Sequence, residues 1–341
     1  MKGTGMKQRT ILSADVLRID AEKETEKICS RMRSLMVNHL KRRGIVIGLS
    51  GGIDSSVTAA LAARCFGPQR VLGLEMPERH SADDTLEYSG MAAKAIGIET
   101  IREDISGILE AVGFYRRYDD AVRMMLPQYG TGWKSKIVSS DIFENHGFTL
   151  FSLVAQAPDG TIVKERLPLA SYLQIVAATN FKQRIRKMLE YYHADRLNYG
   201  VAGTPNRLEY DQGFFVKLGD GAADIKPIAH LYKSQVYQLA EYLGVPEEIR
   251  RRKPTTDTYS LAQGQDEFYF SLPYDKMDLC LYGKNNDVPP EQLAPAVNLN
   301  SEQVRKVYRD IDTKRSTTRY LHLSPLLVEE TIGGFVHASV A

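Results

Sequence analysis

The chain has 341 residues, 43% of them hydrophobic and 25% charged, with a formal net charge of +2. This is the composition of an ordinary globular protein of one large domain or two small ones, and the charge balance points to neither nucleic acid nor a membrane surface. Cys29, Cys65 and Cys280 lie far apart with no CxxC pair, so neither a disulfide framework nor a zinc site follows and a reducing cytoplasm is the expected compartment. No long apolar run reads as a signal peptide or a membrane span.

The first element is an amphipathic helix from Asp20, its cap, to Gly44, its stop, with Ile28, Met32, Leu35, Met36 and Leu40 on one face. The short run Ile45 to Leu49 is rich in β-branched residues and reads as a buried parallel strand. A helix follows through "VTAALAARCF", then a second strand, "RVLGLEMP", ended by Pro77. The stretch "SADDTLEYSGMAAKAIG" reads as a helix capped by Ser81 and stopped at Gly97, and "IETIRED" as a third strand. This alternation predicts a doubly wound, mostly parallel α/β sheet flanked by helices.

Between about Phe114 and Tyr172 the rhythm changes. A β-hairpin is expected around Pro158-Asp159-Gly160, and the whole stretch reads as an insertion or flap. A long helix resumes in "ASYLQIVAATNFKQRIRKMLEYYHADRL", "NYGVAGT" is a further strand, and "YKSQVYQLAEYLG" a helix stopped by Gly244. One more helix starts at Ser301, with Val304, Val307, Tyr308 and Ile311 on its inner face.

The chemistry concentrates in "IVIGLSGGIDSS", a strand, a glycine turn and a helix start. Gly48-Leu49-Ser50-Gly51-Gly52 satisfies the G-x-S-x-G pattern of a serine nucleophile, but it follows the first strand and no oxyanion-loop sequence precedes it. A phosphate-binding turn uses more of the residues. Gly51 and Gly52 let backbone N–H groups approach an anion, Ser50, Ser55 and Ser56 add hydroxyls, and the helix start at Ile53 adds its dipole. Asp54 suits a Mg²⁺ ion on the phosphates, and the absence of GxxxxGK[ST] excludes a Walker loop.

"SGGIDSS" resembles the pyrophosphate loop of the N-type ATP pyrophosphatases. "TNFKQRIR", "AGTPNRLEYDQGFFVKLGDGAADIKPIAHLYKSQV" and "RKPTTDT" narrow the resemblance to the ammonia-dependent NAD synthetases, over most of the chain from Ile28 to Arg315. The resemblance implies a single synthetase domain with a core at about 20–315 and no glutaminase domain. It implies that ATP is held by Gly48, Leu49, Ser50, Gly51, Gly52, Ile53, Asp54 and Ser55, with Arg79, Thr204, Lys233 and Thr255, and that the adenine lies near Glu75 to Arg79. Mg²⁺ falls to Asp54 and Glu209, which with Lys233 form the catalytic set. Deamido-NAD falls to Arg184, Lys217, Asp224 and Lys314.

Each residue also has a plainer reading: Glu209 as a helix-start acid, Lys233 as a surface lysine, Asp224 as a turn former, Phe214 and Phe215 as core. The sequence departs from the family pattern at Ala222, where glycine is usual, and at Thr313, where a histidine precedes the lysine. The implied reaction is ATP-dependent amidation of deamido-NAD by ammonia, free or supplied by a separate glutaminase, in a cytoplasmic homodimer with no nucleic-acid or membrane partner. Alternatives are a related ligase acting on another carboxylate, an RNA-modifying relative, and a nucleotide-binding regulator without catalysis.

Overall fold

The computed structural model describes residues 12–81, 84–140, 142–143, 151–254, 258–261, 263–264, 269–270 and 272–329. Asp20 caps α1 (Ala21–Ser34), its carboxylate accepting from the Lys23 N–H at 3.1 Å. The helix continues as a π-helical turn, Leu35–Leu40, and ends where Lys41 turns left-handed at φ 52°. The expected stop at Gly44 is therefore three residues late. Gly44 is needed for close packing, since a Cβ there would lie 2.5 Å from both the Arg70 carbonyl and the Tyr199 ring.

Then come β1 (Ile45–Gly48), α2 (Ile53–Phe66), β2 (Val71–Glu75), α3 (Thr85–Ile96) and β3 (Glu99–Arg102). Asp84, not Ser81, is the N-cap position of α3. The Ser81 hydroxyl instead accepts from the Glu78 N–H at 3.1 Å and shapes the loop after β2. Two helices, α4 (Ser106–Ala111) and α5 (Phe114–Arg123), lead to β4 (Lys134–Ser139), β5 (Phe151–Gln156) and β6 (Ile162–Arg166). After the long α6 (Leu169–Leu197) the chain forms β7 (Gly200–Val201), α7 (Arg207–Gln212), α8 (Lys233–Tyr242) and α9 (Glu247–Arg251). It ends with α10 (Tyr274–Asn285), α11 (Pro290–Val297) and α12 (Ser301–His322).

The main sheet is all-parallel in the order β3-β2-β1-β7, with Ile45 opposite Val71 on one side and Gly200 on the other. The chain builds outward from β1 to β3, then returns to the other side of β1. The strand order thus reverses at β1, and in open parallel sheets the crevice beyond the strand ends at such a switch point takes the ligand.

One sheet face packs on α1, α2 and α8 through Ile45, Ile47, Val57, Leu61 and Val236. The other packs on α5, α6 and a second sheet through Val46, Leu72, Leu74, Phe114 and Ile185. That second sheet is antiparallel, β4-β5-β6, and the hairpin turn falls at Ala157 to Thr161 as the sequence predicts. Val304, Val307 and Ile311 of α12 close a third core with α10 and α11.

Cys29 of α1 and Cys65 of α2 form a disulfide, with Cα atoms 5.0 Å apart. The expectation of no disulfide is corrected. The two cysteines are 36 residues apart in sequence, and helix packing, not local spacing, brings them together. Cys280 is free and buried.

Candidate active site

The end of β1 opens into a cleft of about 1430 Å³, larger than the 300–1,000 Å³ usual for one small molecule. Gly51 adopts φ 69°, and a Cβ there would lie 2.7 Å from Tyr88 Cβ and 2.9 Å from the Thr85 carbonyl, so only glycine fits. Gly52 is the N-cap of α2, and its carbonyl accepts from the hydroxyls of Ser55 at 3.0 Å and Ser56 at 2.9 Å. The exposed Ser50 hydroxyl lies 3.2 Å from the Ser55 hydroxyl and accepts from the Gly52 N–H at 3.4 Å. These contacts tie Ser50 to the turn, with no imidazole among them to make it a nucleophile.

Asp54, in the first turn of α2, forms an ion pair with Lys233, the first residue of α8. Its other oxygen accepts from Asn206 Nδ2 at 3.2 Å. Asn206 caps α7 in a capping box. Its side-chain oxygen accepts from the Leu208 N–H at 2.9 Å, while the Glu209 carboxylate accepts from the Asn206 N–H at 3.0 Å. Three helix starts therefore meet around one lysine and two carboxylates.

Burial, and then the charge of Asp54, push the Glu209 carboxyl well above the usual carboxylate range. Burial works against the Lys233 ammonium, but Asp54 and Glu209 outweigh it and hold its pKa above the ordinary value. Lys233 is 1% exposed, which removes the surface-lysine reading.

Lys233 is also fixed from behind. The Asp278 carboxylate of α10 accepts from the N–H groups of Lys233 at 3.1 Å and Ser234 at 2.7 Å. Burial pushes Asp278 up to about 6, while those N–H groups pull the other way. The Tyr274 ring of the same helix lies 5.4 Å from the Lys233 ammonium.

The cleft walls carry two further buried ion pairs from α6. Lys182 Nζ lies 2.6 Å from Glu78, and Lys187 Nζ lies 2.6 Å from Glu190. Burial alone would raise Glu78; Lys182 overrides it, and the carboxyl sits below its ordinary value. Glu190 stays raised by burial despite Lys187.

Of the residues named from sequence, Gly48, Leu49, Ser50, Gly52, Ile53, Asp54, Ser55, Arg79, Thr204, Glu209 and Lys233 line the cleft. Gly51 is not in the lining and packs against Tyr88 and Thr85 of α3. Arg184 and Lys217 line it too and touch each other, Arg184 Nε donating to the Lys217 carbonyl at 3.4 Å. Lys314 sits behind the wall, its ammonium 2.6 Å from the Tyr269 carbonyl and from Asp310. Asp224 faces elsewhere: it accepts from the Val201 N–H at 2.7 Å and the Tyr191 hydroxyl at 3.4 Å, at the end of β7. Thr255 lies outside the described residues.

Phe214 and Phe215 both pack and line the cleft. Phe214 stacks on Tyr269 with centroids 4.6 Å apart, and Phe215 on Tyr210 at 5.9 Å. Ala222 is not among the residues with positive φ, so its Cβ meets no backbone restriction. Gly221 carries the constraint instead: a Cβ there would lie 2.2 Å from the Phe215 ring. Thr313 donates to the Arg309 carbonyl at 2.9 Å, on the exposed side of α12.

Sequence reasoning missed Asn206, Asp278, Lys182 and Lys187. For Lys182 a signal existed in α6, where Lys182, Arg186 and Glu190 recur every four residues along one face, and for Lys187 in its place three residues before Glu190. For Asp278 none existed, since it reaches Lys233 across 45 residues.

A parallel sheet with a glycine turn at its switch point, beside a lysine and two carboxylates at helix starts, defines a nucleotide-phosphate-binding α/β protein. Comparison with known proteins narrows the class. Residues 24–126 and 153–319 match the NAD synthase family. An NH(3)-dependent NAD(+) synthetase of Rhizobium rhizogenes is 59% identical over 318 residues, 93% of this chain and 96% of its own length. One of Thermotoga maritima is 35% identical over 252 residues, 73% of this chain and 83% of its own. Among solved structures, the NH3-dependent NAD synthetase of Campylobacter jejuni is 25% identical with a TM-score of 0.59, covering 91% of this chain and all of that one. This chain belongs to the NAD synthase family.

Asp278→Ala should strand two buried N–H groups, costing about 1–3 kcal/mol of stability in urea unfolding, and should lower turnover by displacing Lys233. Asp278→Asn, which keeps one acceptor oxygen, should lose less of both. An Ala variant matching the wild type in stability and rate would contradict the role given to Asp278.

Proposed function

We propose that this chain is an ammonia-dependent NAD synthetase: it adenylates the nicotinate carboxylate of deamido-NAD with ATP and aminates it with ammonia, giving NAD, AMP and pyrophosphate. The observation that carries the reading is the Lys233–Asp54 pair with Glu209 beside it, at the mouth of the glycine turn. In the first step a carboxylate oxygen attacks the α-phosphorus of ATP and pyrophosphate departs. In the second, ammonia attacks the acyl carbon, AMP departs and the new amide sheds a proton.

Neither step calls for a protein nucleophile. Both call for alignment and for neutralising the charge on the departing group. The turn at Ser50 to Gly52 and the start of α2 hold phosphate oxygens, and the Lys233 ammonium faces the negative charge of the departing pyrophosphate. Kinship with NH(3)-dependent NAD(+) synthetases favours deamido-NAD over another carboxylate, and ammonia as the nitrogen donor.

The donor set suits Mg²⁺. Among the described residues no group of three or more His, Cys, Asp or Glu side chains could hold a metal by itself. Two adjacent carboxylates completed by substrate phosphates are how Mg²⁺ is usually held. Burial and Asp54 disfavour a charged Glu209, a penalty that a divalent cation removes. Asp54 and Glu209 would hold the ion, which supplies charge neutralisation to the phosphates.

The homodimer reading rests on α6, whose outer side leaves Leu169, Leu173, Met188 and Tyr192 between 54% and 71% exposed. Sedimentation should give twice the chain mass, and Met188→Glu with Tyr192→Glu should lower it; a monomeric wild type would end this reading. The Cys29–Cys65 bond removes the cysteine argument for a reducing compartment; the cytoplasm remains the proposed location because ATP and dinucleotides are available there. No helix among the described residues is long and apolar enough to cross a membrane. Cell fractionation checks the location, and recovery with the membranes or outside the cell would count against it.

Purified protein given Mg²⁺, ATP, deamido-NAD and ammonium should form NAD and AMP in equal amounts, and Asp54→Ala should form neither. Ser50→Ala should weaken ATP turnover, while the wild type stays unlabelled by serine-directed fluorophosphonates. Labelling at Ser50, or AMP released without NAD, would overturn the reading.

A further inference from the structure

The family match stops at residue 126 and resumes at 153. All of β4, the turn before it and the first two residues of β5 fall between the matched stretches. This stretch is nonetheless part of the cleft: Gly132, Trp133, Lys134 and Phe151 line it, with Gln156, which sits opposite Lys134 in the antiparallel pair.

Its position is fixed from three sides. Ser135, fully buried, accepts or shares hydrogen bonds at 2.9 Å with the hydroxyls of both Tyr118 and Tyr129. The Ser135 N–H donates to Ser260 Oγ at 3.0 Å and its carbonyl accepts from the Leu261 N–H at 3.1 Å. The Gln263 amide donates to the Ile137 carbonyl. The partner segment is anchored in turn at its near end, where the Thr258 carbonyl accepts from Lys182 at 3.0 Å, the lysine that pairs with Glu78. Lys134, the first residue of β4, and Trp133 just before it therefore sit at a clamped strand end.

Trp133 is the sole tryptophan of the chain. It is partly exposed, packs one side near Tyr129 with centroids 5.9 Å apart, and lines the cleft with the rest. Lys134 beside it is exposed. A large aromatic face next to a cation is the combination that recognises a nucleotide, the ring by stacking and the phosphate by charge. A cleft of about 1430 Å³ has room for two nucleotides.

We propose that Trp133 and Lys134 form a subsite for the aromatic ring and an adjoining phosphate of one nucleotide substrate, supplied by a stretch outside the family-matched residues. The inference rests on the proposed function for the identity of the two candidate nucleotides, ATP and deamido-NAD. Both carry this chemistry, and separate titrations distinguish them.

With a single tryptophan, indole emission reports on this site alone. ATP with Mg²⁺ and deamido-NAD, each added alone to the intact protein so that no turnover occurs, should give a saturable change in emission with one of them. Trp133→Ala should raise KM for that same nucleotide about tenfold, within the range that base stacking supplies, and leave kcat nearly unchanged. Trp133→Phe should retain most of the affinity, and Lys134→Ala should weaken the same nucleotide and not the other. Emission unmoved by both nucleotides, together with unchanged KM values in Trp133→Ala, would overturn the subsite. So would a fall in kcat alone, which is what a purely structural prop would give. Failure of the wild type to make NAD would count against the proposed function and not the subsite, because the fluorescence is read without turnover.

Discussion

Three helices that begin far apart in sequence start within reach of one another, and the buried Lys233 ammonium is what lets them do so. Asp54 lies in the first turn of α2, Glu209 in that of α7, and Lys233 opens α8. Two carboxylates this close repel, and a buried ammonium without a partner is costly; together they reach a workable balance. The balance is incomplete, because one lysine faces two acids and Glu209 is pushed toward its protonated form. A carboxyl held toward its protonated form at the mouth of a glycine turn is suited to a divalent cation, which favours its ionised form, and to a polyphosphate that brings further ligands with it.

Everything around this centre serves to hold it. Strand order reverses at β1, so the glycine turn projects into the crevice and not into a neighbouring strand. Asn206 connects Asp54 to the cap of α7. Asp278 ties the backbone of Lys233 to the C-terminal helices, so the third core also governs where the ammonium sits. Lys182 and Lys187 are buried along α6 with partners of opposite charge, and they keep its polar face aligned with the cleft.

Much of this was legible in the sequence because it is local. A β-branched run, a glycine turn and a polar helix start identify themselves over a dozen residues, and the parallel sheet follows from the alternation of strand and helix. The long α6 and the hairpin at Pro158 to Gly160 were readable for the same reason. What escaped is long-range. Asn206 and Asp278 act across 152 and 45 residues, and the Cys29–Cys65 bond joins two helices whose spacing carries no motif. Strand β4 was missed because Lys-Ser-Lys-Ile-Val-Ser alternates weakly and gains its burial only from partners elsewhere. Ser81 and Gly44 were plausible helix punctuation, but the first closes a loop and the second makes room for Tyr199. Asp224 matches a family motif, yet in this chain it closes the end of β7.

Asp54 and Glu209 are proposed to share a cation whose charge Lys233 cannot supply alone. Calorimetric titration of ATP, with and without Mg²⁺, tests this most directly. The wild type should bind ATP more tightly with Mg²⁺ than without. Asp54→Asn and Glu209→Gln should each lose that difference while still binding metal-free ATP. A Mg²⁺ dependence that survives both substitutions would contradict the account, and would put the cation on other ligands.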